Sequence, residues 1–463
     1  MMTGSSVSTT NRPHVVIVGG GFAGLQAAKS LRRADVDVTL LDRRNFHLFQ
    51  PLLYQVATGE LSPANIATPL RAILRKQRNA RVLLGEVKSI DVPGRQLALT
   101  DQVIGFDYLI LAAGASHHYF GNDHWKHHAP GLKTVENATR IRRDVLGAFE
   151  AAERCDDEQQ RRELLTFVVI GGGPTGCEMA GTMAEIARHT LKHDFRRIDT
   201  SKARIVLIEA SDAPLEVYPA PLPQRAAADL DRLGVEIIAN VMATDIQASH
   251  VTIQHRSTGV TETIATRTVV WAAGVKANPL GAMMCVSTEI EPARGGRVPV
   301  GDDLSIAGHP NVLVCGDLAY RVDPDHGELP GLAPVATQMG HHAAQCIQAD
   351  RKGLARPAFS YRDKGSLAVI GRYSAVGVIG NWKVKGFIAW FIWISVHLMY
   401  ITMFRNRLLV LAQWGWTFFS HDRSARLIAD GPNSDIPTME EASGWDAEPV
   451  VESATTSLES FAK

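Results

Sequence analysis

The sequence predicts an α/β protein with two Rossmann-like domains, each a parallel sheet flanked by helices, followed by amphipathic helices near the C-terminal end. Three observations lead to this prediction. A β-branched run followed by a glycine-rich turn and an alanine-rich helix begins at residue 14, and a similar pattern returns at residue 164. After residue 382 the chain becomes apolar and rich in tryptophan. With 463 residues, it is long enough for two or three domains with sizeable cores.

The first glycine-rich turn has the spacing of a dinucleotide-binding fingerprint. Gly19, Gly21 and Gly24 fall at the positions G-x-G-x-x-G, between a strand over 14–18 and a helix. The first glycine permits a tight turn, the second lets the backbone approach a pyrophosphate, and the third lets the helix pack closely on the strand. Asp42 ends the next predicted strand, where its carboxylate can bind a ribose hydroxyl pair. This context predicts a dinucleotide site rather than an ordinary strand–turn–helix.

Two further stretches of the first domain bear on a bound ring. The segment 43–59 mixes aromatic, amide, proline and glycine residues without a clear period, which predicts an ordered loop and a short helix. Such a segment suits packing against a flat, amphipathic ring, but a plain surface connection would have the same pattern. A strand predicted over 106–115 ends in small residues around Gly114, where backbone or a cofactor can come close.

The opening pattern then returns. After a charged helix predicted to reach about Arg162, a strand over 164–170 leads into Gly171, Gly173 and Gly176. A helix begins directly after these glycines, as it does in the first copy. Two complete fingerprints imply two bound dinucleotides.

The acid of the second copy is displaced along the chain. Glu209 ends the next predicted strand but lies 33 residues past Gly176, so an insertion around 193–197 must extend the helix or loop. A carboxylate there binds a ribose diol and repels a 2′-phosphate, which favours NADH over NADPH. The strand ending at Gly274 repeats the pattern that ends at Gly114, as expected of a duplicated domain.

A third signal is a buried strand that ends in Gly316 and Asp317, with a helix predicted to begin near Pro334. The carboxylate of Asp317 can hold a sugar-like polyol while the helix N-terminus faces the polar edge of a ring. In the alternative interpretation, Asp317 is only an N-cap.

Composition excludes several classes of function. The 48 basic and 48 acidic residues balance, which argues against a nucleic-acid binder. The five cysteines are odd in number and never spaced C-x-x-C, so we expect neither a disulfide framework nor a local redox dithiol. Cys177 and Cys315 are interpreted as packing residues. Five clustered histidines match no usual metal-ligand spacing and predict a solvated loop; they are His117, His118, His124, His127 and His128.

The apolar stretch near the C-terminal end allows three interpretations. Residues 386–404 carry no formal charge, a length sufficient for one membrane span. The alternatives are burial in a dimer interface and a pair of interfacial helices lying flat on a membrane. Five of the eight tryptophans lie between 382 and 416, and residues 362–426 hold nine Lys or Arg against two Asp. Such residues suit the boundary between water and anionic lipid.

These features together resemble the two-dinucleotide-binding-domain flavoprotein reductases, which have a glutathione-reductase-like fold. More narrowly, the chain resembles the type II NADH dehydrogenases, the single-subunit NADH:quinone oxidoreductases of respiratory chains. The resemblance covers about residues 12–420. Its narrower signs are FQPLLYQVA at 49–57, GGGPTGCE at 171–178, HDFR at 193–196 and DKGSLAVIG at 363–371. It favours the interfacial interpretation of the C-terminal helices.

The resemblance implies a division of the chain. FAD is expected over 12–130 and 301–375, NADH over 131–300, and membrane association over 376–428. The tail over 429–463 is acidic and rich in Ser, Pro and Glu, and is expected to be disordered.

The resemblance also implies which residues bind the two cofactors. FAD ligands are expected at Gly19, Gly21, Gly24, Asp42 and Asp317, and the NADH side at Gly173, Gly176 and Glu209. The wider set of predicted cofactor-binding residues adds Phe22, Ala23, Arg43, Gln50, Gly114, Gly171, Pro174, Thr175, Glu178, Gly274 and Gln338.

Three residues are predicted to serve catalysis. In the family, the acid after the second fingerprint lies near the nicotinamide and flavin, so Glu178 is the first candidate for a proton donor and Lys364 the second. Gln338 is expected near the flavin and quinone pocket. In the alternative interpretation, Glu178 caps or pairs within its own helix. Many relatives carry a further glutamine where this chain has TQMGHH at 337–342.

The expected reaction is oxidation of NADH with reduction of a membrane quinone, menaquinone or ubiquinone, without proton pumping. The polar N-terminus over 1–12 has no apolar core of a signal peptide. We therefore expect the protein on the cytoplasmic side of the cell inner membrane, bound peripherally. We also expect a homodimer. The rivals are a sulfide:quinone reductase, which would need paired cysteines, and a ferredoxin- or rubredoxin-type reductase, which has no use for a membrane patch. A redox sensor of the same fold, without rapid turnover, is a further alternative.

Overall fold

A computed structural model of the chain describes residues 12–420 and 422–428. The predicted tail over 429–463 lies outside the described residues, as do residues 1–11. Two parallel sheets form the framework of the described part, and helices cover both of them. The predicted fold class, two Rossmann-like units with helices at the C-terminal end, is confirmed.

The first sheet has six strands. In spatial order they are Ser305–Ile306, His309–Val314, Tyr108–Leu111, His14–Val18, Asp37–Asp42 and Ala80–Leu84. All pair in parallel except Ser305–Ile306. The central strands are buried on both faces, which explains their nearly continuous Val, Ile and Leu. The chain therefore leaves this sheet after Leu111 and returns to it only at residue 305.

Two helices cross closely on this sheet, Phe22–Ser30 and Ala333–Arg351. A Cβ added to Gly340 would overlap the carbonyl oxygen of Ala23. The two backbones are therefore in contact, and a larger side chain at Gly340 would separate the helices.

The second sheet has four strands, all parallel. In spatial order they are Val235–Ile238, Arg204–Ile208, Thr166–Ile170 and Thr268–Trp271. Its flanking helices are Val135–Arg154, Glu158–Leu164, Pro174–Glu185 and Leu222–Arg232. The insertion before Glu209 begins as a π-helical turn, Ile186–Thr190, that continues the helix of the second fingerprint.

The prediction of a single charged helix reaching about Arg162 is wrong. The structure has two helices there, because the side chain of Asp157 accepts a hydrogen bond from the Gln160 N–H at 2.9 Å and starts a new helix. Aspartate favours this N-cap position over a helix interior.

Small antiparallel sheets decorate the two units. Two of them have two strands each: Phe46–Leu48 with Ala67–Pro69, and Val322–Asp323 with Gly327–Glu328. Two others have three strands each, in spatial order Ser89–Asp91, Gln96–Ala98 and Val103–Gly105, and Val241–Ile246, His250–His255 and Thr261–Ala265. Val298–Pro299 pairs in parallel with Ala319–Tyr320. The short helices are Gln50–Leu52, Leu53–Ala57, Pro63–Ile66, Leu70–Leu74, Asp123–His127, Thr200–Lys202, Leu280–Thr288, Arg294–Gly296 and Gly316–Leu318.

Two strands connect the units directly. Ala115–His117, which follows the first sheet, pairs antiparallel with Val275–Ala277, which follows the second. Gly114 and Gly274 precede these strands, and both have positive φ angles, +69° and +78°. The two repeated strand ends predicted from sequence thus meet at the junction between the units.

The C-terminal region starts with an antiparallel sheet of Ser366–Gly371, Ser374–Ile379 and Trp382–Lys385. Two helices follow, Gly386–Tyr400 and Phe404–Ser420. Among the residues that the structure describes, no helix combines the length and apolar character needed to cross a membrane. Trp393 and Trp414 join the same hydrophobic core as the second sheet.

Candidate functional site

The first fingerprint has the geometry that its three glycines predict. Gly19 has φ +106°, and a Cβ on it would overlap the carbonyl oxygen of Ala112. A Cβ on Gly24 would overlap the carbonyl oxygen of Gly19, so helix and strand touch there. Gly21 is the N-cap of the helix, and a Cβ on it would meet nothing within 4 Å. This open, N–H-rich helix start fits a pyrophosphate.

Asp42 is bonded to this turn. Its carboxylate accepts hydrogen bonds from the Gly20 N–H at 2.5 Å and the Arg44 N–H at 2.7 Å. The half-buried side chain is thereby held beside the glycines, with oxygen lone pairs remaining for ribose hydroxyls.

The second fingerprint repeats these contacts. Gly171 has φ +105°, and a Cβ on it would lie 2.8 Å from the Ala273 nitrogen. Gly176 touches the Gly171 carbonyl oxygen in the same way, and the space around Gly173 is open. Pro174 and Thr175 are exposed in the first turn of the helix. A second pyrophosphate therefore fits here.

Glu209 takes the place that Asp42 has in the first unit. Its carboxylate accepts hydrogen bonds from the Gly172 N–H and from the Ser211 N–H at 2.7 Å. The long insertion between the fingerprint and this acid leaves the arrangement unchanged, because the extra residues lie outside the sheet.

Asp317 lies in a single helical turn directly after the strand His309–Val314. Its carboxylate is 3.5 Å from Nζ of Lys133, and it lies against Gly331. The interpretation of Asp317 as an N-cap of the following long helix is wrong, because Leu332 holds that position and makes no side-chain cap. The carboxylate is partly exposed and remains accessible to a polyol.

The segment after Asp42 is not a plain surface connection. Phe49 and residues 52–59 are buried, and Phe49 meets Phe22 edge-on with ring centroids 6.0 Å apart. Gln50 and Arg43 are exposed. An ordered loop and short helices occur here as predicted, and they line the same side of the first unit as the glycine-rich helix.

Glu178 lies one turn into the helix of the second fingerprint and is buried. Burial raises the pKa of its carboxyl group to about 8, although a backbone N–H of Val369 bonds to it. That partner belongs to the strand Ser366–Gly371, so the alternative of a cap or pair within its own helix is not what the structure has.

Gln338 and Lys364 lie near one another at the C-terminal region. The Gln338 side-chain amide donates to the Arg362 carbonyl oxygen and accepts from the Arg362 N–H, both at 3.0 Å. Nζ of Lys364 donates to the Tyr400 hydroxyl at 3.0 Å. Gln338 thus holds the backbone just before Lys364, and Lys364 reaches the helix Gly386–Tyr400.

Three side chains near these sites are absent from the site residues predicted by the sequence. Nδ1 of the buried His47 is 2.9 Å from the Gly20 carbonyl oxygen, in the first fingerprint. Burial raises the pKa of the Tyr54 and Tyr218 hydroxyls, and both lie close enough to Glu178 for its charge to add to that rise. These residues are far apart in the chain, so no local spacing could have indicated them.

In the described residues, the cysteines form no disulfide, and neither they nor the histidines form a metal site. All five cysteines are free and buried. No group of three or more His, Cys, Asp or Glu in the ranges 12–420 and 422–428 is arranged to hold a metal ion. His117 and His118 are half-buried near the junction strands rather than fully solvated.

Comparison with known proteins extends these observations to nearly the whole chain. Residues 13–340 match the family model described as pyridine nucleotide-disulphide oxidoreductase, and residues 364–421 match the NDH2 C-terminal domain. A solved structure of NDH2 from Plasmodium falciparum in complex with NADH has a TM-score of 0.82 at 18% identity, covering 90% of this chain and 100% of that chain. The sulfide:quinone oxidoreductase of Aquifex aeolicus has a TM-score of 0.69 at 19% identity, covering 88% and 95%.

Curated relatives narrow the assignment. The type II NADH:quinone oxidoreductase Ndh of Mycobacterium tuberculosis is 47% identical over 429 residues, which cover 90% of this chain and 91% of that protein. NdhA of the same organism is 44% identical over 439 residues, which cover 92% of each. The resemblance stated from sequence is confirmed: the chain belongs to the family of type II NADH:quinone oxidoreductases.

Proposed function

We propose that this protein binds FAD in its first unit, oxidises NADH held by its second unit, and passes two electrons to a membrane quinone. One observation carries the proposal: in each of the two open glycine-rich turns, an acid accepts a hydrogen bond from the N–H of the residue after the first glycine, Gly20 or Gly172. The relatives at 47% and 44% identity, both type II NADH:quinone oxidoreductases, match over nearly their whole length. We assign FAD to 12–130 and 301–375 and NADH to 131–300.

The first unit has the groups that FAD requires. The space beside Gly21, at the start of the helix, is open for the pyrophosphate. Asp42 is held beside this turn for a ribose, and Asp317 offers a carboxylate to the polyol chain. When bound, FAD supplies a ring that accepts a hydride from NADH and releases electrons to the quinone.

Glu209 sets the choice of nicotinamide cofactor in this proposal. Its carboxylate is fixed by Gly172 and Ser211, so it cannot swing away from the ribose. A fixed negative charge binds the ribose diol of NADH and repels the additional phosphate of NADPH.

Glu178 is the proposed proton donor for quinone reduction. With a pKa of about 8, its carboxyl group is mostly protonated at neutral pH and holds a proton in a buried position. Lys364, bonded to Tyr400 on the first C-terminal helix, is the second donor. Because both ends of the Gln338 amide are bonded to Arg362, we propose that Gln338 acts by positioning the segment that carries Lys364.

Direct transfer to a quinone is favoured over the rival activities. A sulfide:quinone reductase works through paired cysteines, whereas the five cysteines here are buried and unpaired. A ferredoxin- or rubredoxin-type reductase has no need of the exposed apolar helices that end this chain.

The test is an anaerobic titration of the FAD-loaded protein. NADH is expected to bleach the flavin absorbance, and a menaquinone or ubiquinone analogue is then expected to restore it. Bleaching by sulfide but not by NADH would instead favour the sulfide:quinone reductase and overturn the proposal.

The C-terminal helices are the proposed membrane contact. They expose large apolar side chains at Phe387, Ile388, Phe391, Met399, Phe404, Leu408, Trp416 and Phe419. Lys383, Lys385 and Arg405 are exposed at the helix ends. An apolar face bordered by basic residues suits peripheral binding to anionic lipid. We propose a homodimer bound in this way to the cytoplasmic face of the cell inner membrane.

Vesicle binding tests the membrane contact. Replacing Ile388 and Phe391 together by serine is expected to weaken binding to phosphatidylglycerol-containing vesicles by about tenfold or more, because two exposed apolar side chains that would enter the lipid are lost. The control is Val260→Ser, since Val260 is also exposed but lies in the second unit. Equal binding of both variants would contradict the proposed surface. Light scattering of the detergent-solubilised protein measures its molar mass, which distinguishes a dimer from a monomer.

A further inference from the structure

Phe120 occupies a backbone conformation that its side chain does not favour. Its φ is +52°, the next residue Gly121 has φ +92°, and the Asn122 N–H donates to the Tyr119 carbonyl oxygen at 3.0 Å. Two consecutive positive φ angles in such a turn favour Gly, Asn or Asp over an aromatic residue. The side chain is also 61% exposed, so its burial offsets little of the conformational free-energy cost of the positive φ angle. The ring lies beside His118 and Trp271, with ring centroids 4.4 Å and 6.3 Å away, but the turn itself does not account for a phenylalanine.

Hydrogen bonds of the neighbouring His118 join this turn to the second unit. The His118 N–H donates to the Gly274 carbonyl oxygen at 3.3 Å, and Nε1 of Trp271 donates to the His118 carbonyl oxygen at 3.1 Å. A Cβ added to Gly274 would lie 2.8 Å from Cζ of Phe120. The phenylalanine ring therefore rests directly on Gly274 while most of its surface stays open.

Gly274 adjoins the second fingerprint. A Cβ on Gly171 would lie 2.8 Å from the nitrogen of Ala273, the neighbour of Gly274. The strand Thr268–Trp271 lies on the opposite side of Thr166–Ile170 from Arg204–Ile208, the strand that leads to Glu209. Ligands of parallel sheets bind at the carboxyl ends of the strands. If Glu209 takes the adenosine ribose, the Gly274 side faces the other half of the dinucleotide.

We propose that Phe120 is an aromatic platform for the nicotinamide–ribose half of NADH. This inference rests on the proposed function and assigns a further binding residue to the same site. Phe120 belongs to the part of the chain that leaves the first unit, whereas Gly274 belongs to the second. A ring held between them contacts the cofactor at the junction of the two units, where the nicotinamide has to meet the FAD.

Two substitutions separate binding from folding. Phe120→Asn removes the ring but suits the left-handed turn, so its Tm is expected to equal or exceed that of the unchanged protein. Its Kd for NAD⁺, measured by isothermal titration on the oxidised FAD-loaded protein, is expected to rise by about three- to tenfold. Phe120→Trp keeps an aromatic face and is expected to retain affinity within about twofold.

Fragments of the cofactor locate the contact. ADP and AMP lack the whole nicotinamide–ribose half, so their affinities are expected to be unchanged in Phe120→Asn. An unchanged Kd for NAD⁺ in this variant would overturn the inference, as would an equal loss of affinity for AMP, which would put the ring at the adenosine half. Failure of the unchanged protein to bind NAD⁺ would refute the proposed function itself, and the two failures are therefore distinguishable.

Discussion

At the scale of single residues, Glu178 shows how position and surroundings combine. The sequence places it two residues after the last glycine of the second fingerprint. Folding adds the burial, the Val369 N–H and the nearby tyrosines Tyr54 and Tyr218. Burial opposes ionisation more strongly than the single N–H favours it, and the pKa rises to about 8.

Replacing Glu178 by glutamine removes this proton while nearly keeping the side-chain volume. We expect quinone reduction to slow by about a hundredfold, a usual contribution of a positioned general acid, while FAD content stays unchanged. Steady-state turnover with a soluble quinone analogue measures the first, and flavin absorbance per protein the second. Normal turnover of the variant would count against the assigned role.

The same substitution tests the raised pKa through stability. The pKa in the folded protein, about 8, lies above the ordinary value of 4.5, so between these pH values the unfolded chain releases a proton that the folded chain retains. The folded state therefore loses stability as pH rises from about 4.5 to 8. Glutamine mimics the neutral acid and lacks this loss. Going from pH 5 to pH 9, the variant should gain about 2–5 kcal/mol relative to the unchanged protein, measured by denaturant unfolding; parallel pH profiles would contradict this.

Glu209 carries a prediction on cofactor choice. Replacing it by glutamine removes the charge that repels a 2′-phosphate, so the ratio of kcat/KM for NADPH to that for NADH should rise by about tenfold or more. The control is Glu236→Gln, which neutralises a surface acid paired with Arg204 on the same sheet. The interpretation fails if both variants show the same ratio.

At the scale of elements, the C-terminal helices depend on distant partners. In the sequence, 386–404 is a mainly apolar stretch without a formal charge. In the structure the first helix ends at Tyr400, because the chain turns at Met403, with φ +72°, and the Thr402 hydroxyl donates to that of Thr68 at 3.1 Å. The first helix therefore ends before the apolar run does, and the second helix begins only at Phe404, the last residue of that run.

Trp414 tests this attachment. Its Nε1 donates to Oε1 of Gln55 at 2.9 Å, and both side chains are buried. Trp414→Phe leaves the amide oxygen without this donor, at an expected cost of about 1–3 kcal/mol and with faster proteolysis of the second helix. Trp416→Phe is the matched control, since Trp416 is two positions away and exposed. Equal Tm values and cleavage rates in the two variants would contradict the structural role.

At the level of the whole molecule, two glycines within helices have opposite surroundings. One lies in a contact between the second unit and the C-terminal region, and the other faces open space. A Cβ on Gly181, in the helix of the second fingerprint, would overlap the carbonyl oxygen of Ile370 in the C-terminal sheet. A Cβ on Gly147, in the helix Val135–Arg154, would meet nothing within 4 Å. The second unit and the C-terminal region are therefore packed backbone to backbone at Gly181.

Alanine at these two positions should act in opposite directions. Gly181→Ala is expected to lower stability by about 1–3 kcal/mol, because two backbones must separate. Gly147→Ala is expected to raise it by about 0.5–1 kcal/mol, because alanine is the better helix former. Thermal unfolding of both variants measures the difference, and a stabilised Gly181→Ala would contradict the close packing.

Residue spacing alone predicted the two glycine-rich turns, their acids Asp42 and Glu209, and the two-unit α/β fold. These features depend on neighbours within one strand–turn–helix unit, so spacing along the chain reports them directly. The insertion before Glu209 was recognisable for the same reason. The family followed from several such local motifs occurring together, and the comparisons confirmed it.

The surroundings of those motifs emerge only in the folded chain. The bonding of Gln338 to Arg362, the burial of residues 52–59, the partner of Glu178 and the placement of Phe120 on Gly274 all join segments distant in sequence. Such contacts depend on how sheets and helices pack, and the local period of a segment carries no record of its distant partner. The pKa of an acid and the exposure of a ring are properties of that packing, which is why they could not be obtained from residue spacing.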